Sequence, residues 1–537
     1  MRRTAAAVAL AALLGAVLPI AGAAWRVRSR ELAGILAGWR GWDDLALAVG
    51  ESERGEFPVS PYGITDRFRR GADDFAAFRS QLEARIAADG IEPMQFWRTL
   101  TEPWLTVVEW PVARRFDDSG RAVLLGLGFR LLGGVAPYLL PWLAVLGAAV
   151  ASAWAAAELA AAGWRLAAIL FPPSLALSAF VLDVLMVGYA AAGFQLVALL
   201  AVAAVAVYAA AGDPTRRGAA VRGGVAAVTI AICAFCRSAT LMLLPGLMVA
   251  LSIAVTRSPA GTRATVRGKV LTGLGVVATS LAIALGGYQG LRAWTAARIA
   301  DTAERHALGG QPPPAHDVWI TLWQGLGDFD RTKGHIYLDM AGEQAVMKAG
   351  GHRRLGRRSE LLLRNVILSE IRSDPAWFAS ILARRAWATV TLAKLWPRKR
   401  AAGTSIVRAE TENEGVTDSY YMMIAQADQV AFGRHEWELP GWTLVGPLLS
   451  LLAVAFAPLA SLEGRRPMAR RALLGVGAVS VSALATPVLI TTASGFETQM
   501  FVIVDLLALA LLAQVMLASP HPALEESLVP PLEAAPD

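Results

Sequence analysis

Long apolar runs, separated by short basic stretches or by two long polar ones, organise most of this chain. An uncharged run of about 18 or more residues predicts a membrane helix, because a hydrocarbon core of about 30 Å takes about 20 helical residues to cross. Such runs are Thr4–Ala24, Pro137–Ala162, Leu166–Met186, Val187–Ala211, Val225–Cys236, Ala239–Val255, Val270–Tyr288, Pro440–Ala460, Ala472–Ile490 and Phe501–Leu517. Val225–Cys236 reaches spanning length only if its helix begins near Ala219, and the division near Asp183 is the least defined. The expected fold class is an all-α polytopic membrane protein with about ten transmembrane helices and two outer-face segments.

The basic residues set the expected orientation. Lys and Arg in short loops mark the cytoplasmic side of a membrane. With Arg2 and Arg3 inside and the crossings alternated, the inside loops are those carrying Arg165, then Arg216, Arg217 and Arg222, then Arg257, Arg263, Arg267 and Lys269, and lastly Arg465, Arg466, Arg470 and Arg471. Every inside loop is then basic, whereas the opposite orientation would place all of them outside. The expected location is a bacterial inner membrane with a cytoplasmic N-terminus. Arg2, Arg3, the apolar run and Ala21-Gly22-Ala23 also fit a cleaved signal peptide.

The chain therefore divides into a first transmembrane helix (residues 1–24), a first periplasmic segment with amphipathic helices (25–132), a transmembrane bundle (133–288), a second periplasmic segment (289–438), C-terminal transmembrane helices (439–518) and a Pro-rich, acidic, disordered cytoplasmic tail (519–537). In the first periplasmic segment, 30–42 and 73–88 have helical spacing, and Arg121–Leu132 is amphipathic enough to lie along a membrane surface. In the second, Glu360–Ile371 and Pro375–Trp396 predict helices, the latter rich in Trp and Arg. No internal repeat is present, and no inverted pair of broken helices, the usual pointer to a transporter.

Composition agrees with a membrane protein: 55% of residues are hydrophobic and 17% charged. The formal charge of +7 follows largely from the basic loops, and no nucleic-acid-binding motif accompanies it. Cys233 and Cys236, the only cysteines, have the C-x-x-C spacing of a redox or metal motif, but they fall in an apolar helix where thiols act as small hydrophobes.

Four stretches carry a family likeness. Gly41-Trp42-Asp43-Asp44 opens a short helical run ending at Gly50; Phe129-Arg130 leads through Gly133 and Gly134 to Pro137. Ala168 to Pro173 is followed by Asp183 in Val181–Leu185, and Phe235-Cys236-Arg237-Ser238 leads to Pro245. In that order, over about the first 290 residues, they resemble the GT-C glycosyltransferases, specifically the bacterial protein-mannosyltransferase-like and aminoarabinose-transferase-like group. The resemblance implies an inverting enzyme that moves a sugar from a polyprenyl-phosphate-linked donor to an envelope acceptor on the periplasmic face.

That reaction sets what to seek. An acceptor hydroxyl needs a carboxylate to take its proton, and the departing lipid phosphate needs positive charge or a metal. Asp43 and Asp44 are the candidate catalytic carboxylates; adjacent positions on a helix point apart, so one of them serves as base. The competing role is to cap the helix starting at Leu45. Arg237, Arg331 and Lys333 are candidates for donor phosphate. His316, Asp317, Trp319, Trp323, Asp328 and His335 form a substrate-facing loop, with Trp faces for a sugar ring and glycines for tight turns. Packing of the same Trp residues at the membrane surface is the bland alternative. His316, Asp317, Asp328, Asp330 and His335 leave a divalent metal open, without the spacing of a standard zinc site. The expected partners are a polyprenyl-phosphate-linked sugar and membrane lipid, with no nucleic acid. Two other readings compete: a glycolipid transporter or flippase, with a path lined by Glu158, Asp183 and Asp505, and a non-catalytic envelope-assembly protein.

Overall fold

The structure, a computed structural model, describes residues 2–28, 120–132, 139–186, 192–258, 266–305, 318–327, 333–335, 339–351, 357–392, 466–490 and 500–517. Every element among them is helical. Among the described residues seven helices are long and apolar enough to cross a membrane: Ala5–Ala24, Leu139–Ala161, Ala192–Ala210, Arg216–Cys236, Ser238–Arg257, Val270–Arg298 and Arg470–Leu489. Two shorter apolar helices, Arg165–Leu177 and Val502–Val515, accompany them. The run Pro440–Ala460 lies outside the described residues.

The bundle is assembled through small residues. In an apolar solvent helices gain nothing by hiding from water, so close backbone approach supplies the contact energy. Helix α1 (Arg2–Arg28) is followed among the described residues by the short α2 (Gly120–Leu132) and then by α3 (Leu139–Ala161). A Cβ added to Gly15 of α1 would sit 2.5 Å from Cα of Ala153, so these two helices touch backbone to backbone. Helix α4 (Arg165–Leu177) contains Pro172 and Pro173, which have no N–H to give the preceding turn, and it stops at Ser178. Ser178 adopts an extended backbone, and its Oγ accepts the amide of Val181, 3.4 Å away, in α5 (Ala179–Met186). The apolar run 166–186 is thus two helices meeting at one serine, where the periodicity predicts a single span. Neither piece alone reaches the roughly 20 residues that a crossing takes.

Helix α6 (Ala192–Ala211) is central: every residue from Ala192 to Ala210 is buried. Such a helix must be apolar all round, and it is, apart from Gln195 and the hydroxyl of Tyr208. Helix α7 (Arg216–Cys236) begins well before the apolar run that announces it, because Thr215 caps it, Oγ1 accepting from Gly218 N at 3.0 Å. A 3₁₀ turn (Ser238–Leu243) and α8 (Leu244–Arg257) follow. Helix α9 (Val266–Arg305) has 40 residues, about 60 Å or twice the hydrocarbon thickness. Helix α14 (Arg466–Leu489) and α15 (Val502–Leu517) complete the bundle, after α10 (Val318–Gly325), α11 (Asp339–Lys348), α12 (Arg357–Ser373) and α13 (Pro375–Leu392) have formed a second unit.

One end of the bundle is basic. There the guanidinium of Arg222 meets Glu158 at 2.6 Å and lies 4.0 Å over the ring of Tyr208. Trp154 Nε1 donates to the same carboxylate at 3.0 Å. Arg257 donates to the carbonyls of Ala209, Ala210 and Gly212, the orphan acceptors at the end of α6. Arg216 reaches Thr272 on α9. Glu158 is therefore a member of an ion-paired knot at a helix end. At the opposite, far end the second unit docks: α13 packs on α14, and the fully buried Arg385 donates to Val488 O at 3.2 Å.

Candidate functional site

The far end gathers the chemistry. Helix α7 stops at Cys236, and Arg237 turns the chain with an extended backbone into the 3₁₀ segment. Its own amide donates to Cys233 O at 2.8 Å and its carbonyl accepts from Thr240 at 2.9 Å, so the backbone at this break is satisfied. The first turn of α2 is pressed onto the same spot: a Cβ on Gly120 would lie 2.6 Å from the carbonyl carbon and oxygen of Phe235. The next residue, Arg121, is 6% exposed. The amphipathic pattern predicts an arginine at the edge of a surface helix, but α2 dips its N-terminal end into the bundle and takes Arg121 with it. Two arginines, Arg121 and half-buried Arg237, thus stand at one helix break. Positive charge held away from water acts more strongly on a neighbouring anion than the same charge in solvent.

The second constellation lies in the second unit, whose core is Ile320, Trp323, Leu326, Val346, Leu363, Ile367, Trp377 and Ile381. Glu360, on α12, caps α10 from outside, its carboxylate accepting from the amide of Trp319 at 3.1 Å. Asp374 caps α13: Oδ1 accepts from Trp377 N at 3.0 Å, and Pro375 occupies the first helical position, where no donor is needed. The other oxygen of Asp374 faces Lys333 Nζ at 3.4 Å, and that ammonium also sits 3.9 Å above the ring of Trp377. His335 is 1% exposed, with its ring 4.9 Å from that of Trp323 and 5.9 Å from that of Trp377. Its Nε2 lies 2.6 Å from Glu370 Oε2, which fixes that nitrogen as a donor; Nδ1 is buried with no hydrogen-bond partner among the described residues.

A histidine oriented by a carboxylate is the usual form of a general base. Here Nδ1, the accepting nitrogen, is buried beside the rings of Trp323 and Trp377, and among the described residues no donor reaches it. What the cluster does is tie the strand of chain around residue 335 to α12 and α13. Helix α13 then carries that cluster to the bundle: Trp377 and Arg385 are eight residues apart on it, about 12 Å.

Of the residues expected from sequence, Arg237 stands at the far end, at the helix break on which the first turn of α2 packs, while Trp319, Trp323, Lys333 and His335 come together in the second unit. Trp323 is 5% exposed and belongs to its core; Trp319 is half-buried against it. Asp43, Asp44, His316, Asp317, Asp328, Asp330 and Arg331 lie outside the described residues. Among the described residues no group of three or more His, Cys, Asp or Glu is placed to hold a metal ion. Cys233 and Cys236 are buried free thiols. Sequence reasoning missed Arg121, Glu370, Asp374 and Trp377. The Ser373-Asp374-Pro375 run is a helix-start signal that could have located Asp374; nothing local marks Glu370 as the partner of His335. No family model, no curated protein and no solved structure matches this chain.

Proposed function

We propose that this chain is a glycosyltransferase of the GT-C type that moves a sugar from a polyprenyl-phosphate-linked donor to an envelope acceptor, at the far end of its helix bundle. The observation that carries the reading is the packing of Gly120, next to the buried Arg121, on the Phe235 backbone, two residues before Arg237 at the break after α7. A departing lipid phosphate develops negative charge at the membrane surface, and a pair of guanidinium groups supplies the planar, multiply donating partner that phosphate takes best. Asp43 and Asp44 provide the acceptor base in this reading, and the second unit, locked by His335, Glu370 and Lys333, stands over the same end. We assign Trp323 to its packing and leave Trp319 as the more exposed aromatic surface.

Replacing Arg121 or Arg237 by Gln is expected to lower transfer from a polyprenyl-phosphate sugar by roughly ten- to a hundredfold each, the worth of a charged hydrogen bond. The measurement is transfer of radiolabelled sugar by the purified variants, with folding checked by their elution as a single peak. Folded variants that both transfer at the wild-type rate would sink the phosphate assignment.

The far end faces the periplasm in this reading, because the basic end belongs inside. Exposed Ser373 at the close of α12 and exposed Arg217 at the start of α7 report on the two sides. With single cysteines there, Ser373→Cys is expected to react with an impermeant thiol reagent in intact spheroplasts, and Arg217→Cys only after permeabilisation. The reverse pattern would overturn the orientation.

A further inference from the structure

Gln195, Thr240, Thr486 and Asp505 are each at least nine-tenths buried, and Gln195 Oε1, the hydroxyls of Thr240 and Thr486, and both carboxylate oxygens of Asp505 have no hydrogen-bond partner among the described residues. An unpaired polar group away from water costs about 1–3 kcal/mol, and an unpaired carboxylate more. Ser152 on α3 is a further buried hydroxyl of this kind, but these four call for a common explanation, and the helix registers supply it.

Helices α6 and α14 are antiparallel: α8 touches the end of α6 through Arg257, and at its other terminus Gly246 packs against Ala478 and Ser482 of α14. Gly475 of α14 lies against Ala206 and Ala210 of α6. Thr486 is eleven residues beyond Gly475, and Gln195 eleven residues before Ala206. Eleven residues make about three whole turns, so both side chains return to the facing sides and stand at the same level. Ser482 donates to Leu243 O at 2.9 Å. One α-turn onward from Ser482 is Thr486, and one 3₁₀ turn back from Leu243 is Thr240, each a shift of about 6 Å in the same direction. The 3₁₀ segment packs on both α6 and α14. Asp505 is in the first turn of α15, as Thr486 is in the last turn of α14, and these helices pack together. Gln514 faces α4, accepting from the amides of Leu166 and Ala167. Asp505, nine residues earlier, is about two and a half turns away and so points from α4 toward α14.

We propose that these four side chains line a buried site for one monovalent alkali cation, of which sodium is the probe. Oxygen ligands with a single carboxylate suit a hard cation of charge +1. A divalent ion would leave a net charge in a low-dielectric interior, which is costly. Arg385 bonds the carbonyl of Val488, and neither oxygen of Asp505 has a hydrogen-bond partner among the described residues. The cation would bind α6, the 3₁₀ segment, α14 and α15 together at the far end. The inference is independent of the donor reading.

The test is thermal unfolding of the full chain in lipid nanodiscs, titrated with NaCl against choline chloride at constant ionic strength. Sodium is expected to raise Tm saturably, as any ligand of the folded state does. Asp505→Asn should abolish the response, and Thr486→Val should raise the half-saturating concentration about tenfold, a single lost ligand. A wild-type protein indifferent to sodium overturns the proposal, as does a response that both variants keep. So does a Tm that rises only as pH falls, which would make Asp505 the holder of a proton. If Asp505→Asn does not fold, Thr486→Val decides alone.

Discussion

Gly246→Leu is expected to be strongly destabilising. A Cβ at this position would stand 2.5 Å from the carbonyl oxygen of Ala478 and closer still to the hydroxyl of Ser482. The serine side chain can turn away, but the carbonyl belongs to the backbone of α14 and cannot. The two helices must separate, and separation also breaks the bond from Ser482 to Leu243 O. Overpacking costs about 1–3 kcal/mol and a lost buried hydrogen bond about 1 kcal/mol more. Against a total stability of about 5–15 kcal/mol that is a large fraction. Gly286→Leu is the control, since a Cβ there meets nothing within 4 Å. Monodisperse yield after detergent extraction, and Tm, should fall markedly for the first variant and hold for the second. Equal behaviour would show that α8 and α14 do not pack as described.

The other large effect concerns rate. In the glycosyltransferase reading, Asp43→Asn or Asp44→Asn should abolish transfer in one case and spare it in the other. Asparagine keeps the ability to cap a helix start but cannot accept a proton. Loss of a positioned general base costs about 10²–10⁴-fold in rate. A capping role predicts the opposite pattern: Asn neutral at either position, Ala destabilising by about 1 kcal/mol. Turnover and Tm measured on the four single variants separate the two roles. Near wild-type turnover in both Asn variants would remove these carboxylates from the mechanism, whatever becomes of Arg121 and Arg237. It would also shift weight to the transporter alternative, for which Asp183→Asn in proteoliposomes is the matching measurement.

What the sequence determined by itself is the membrane-spanning character and most of the helices. Apolar length reports directly on burial in lipid, a local property, so α1, α3, α6, α8 and α14 fall where the apolar runs predict them, while α9 contains its run and continues past Tyr288 to Arg305. The start of α7 was misplaced, because Arg216, Arg217 and Arg222 carry the helix past the apolar run back to its cap at Thr215. The break at Ser178 was not legible, because tandem prolines inside an apolar run are compatible with a kink or a stop, and the packing of both halves decides which. The site was less legible still. Residue type pointed to Arg237, Lys333, His335 and the tryptophans, but what each does depends on partners far along the chain. Glu370 meets His335 across 35 residues and Arg222 meets Glu158 across 64. Trp323 looked like a surface for sugar and stands in a core. Gln195 and Thr486, placed on facing sides in the proposed cation site, come from helices far apart in the sequence, and only the antiparallel pairing of α6 and α14 relates them. Hydrophobic pattern measures how each residue meets solvent; which polar group it meets is decided by the packing of helices that the sequence separates.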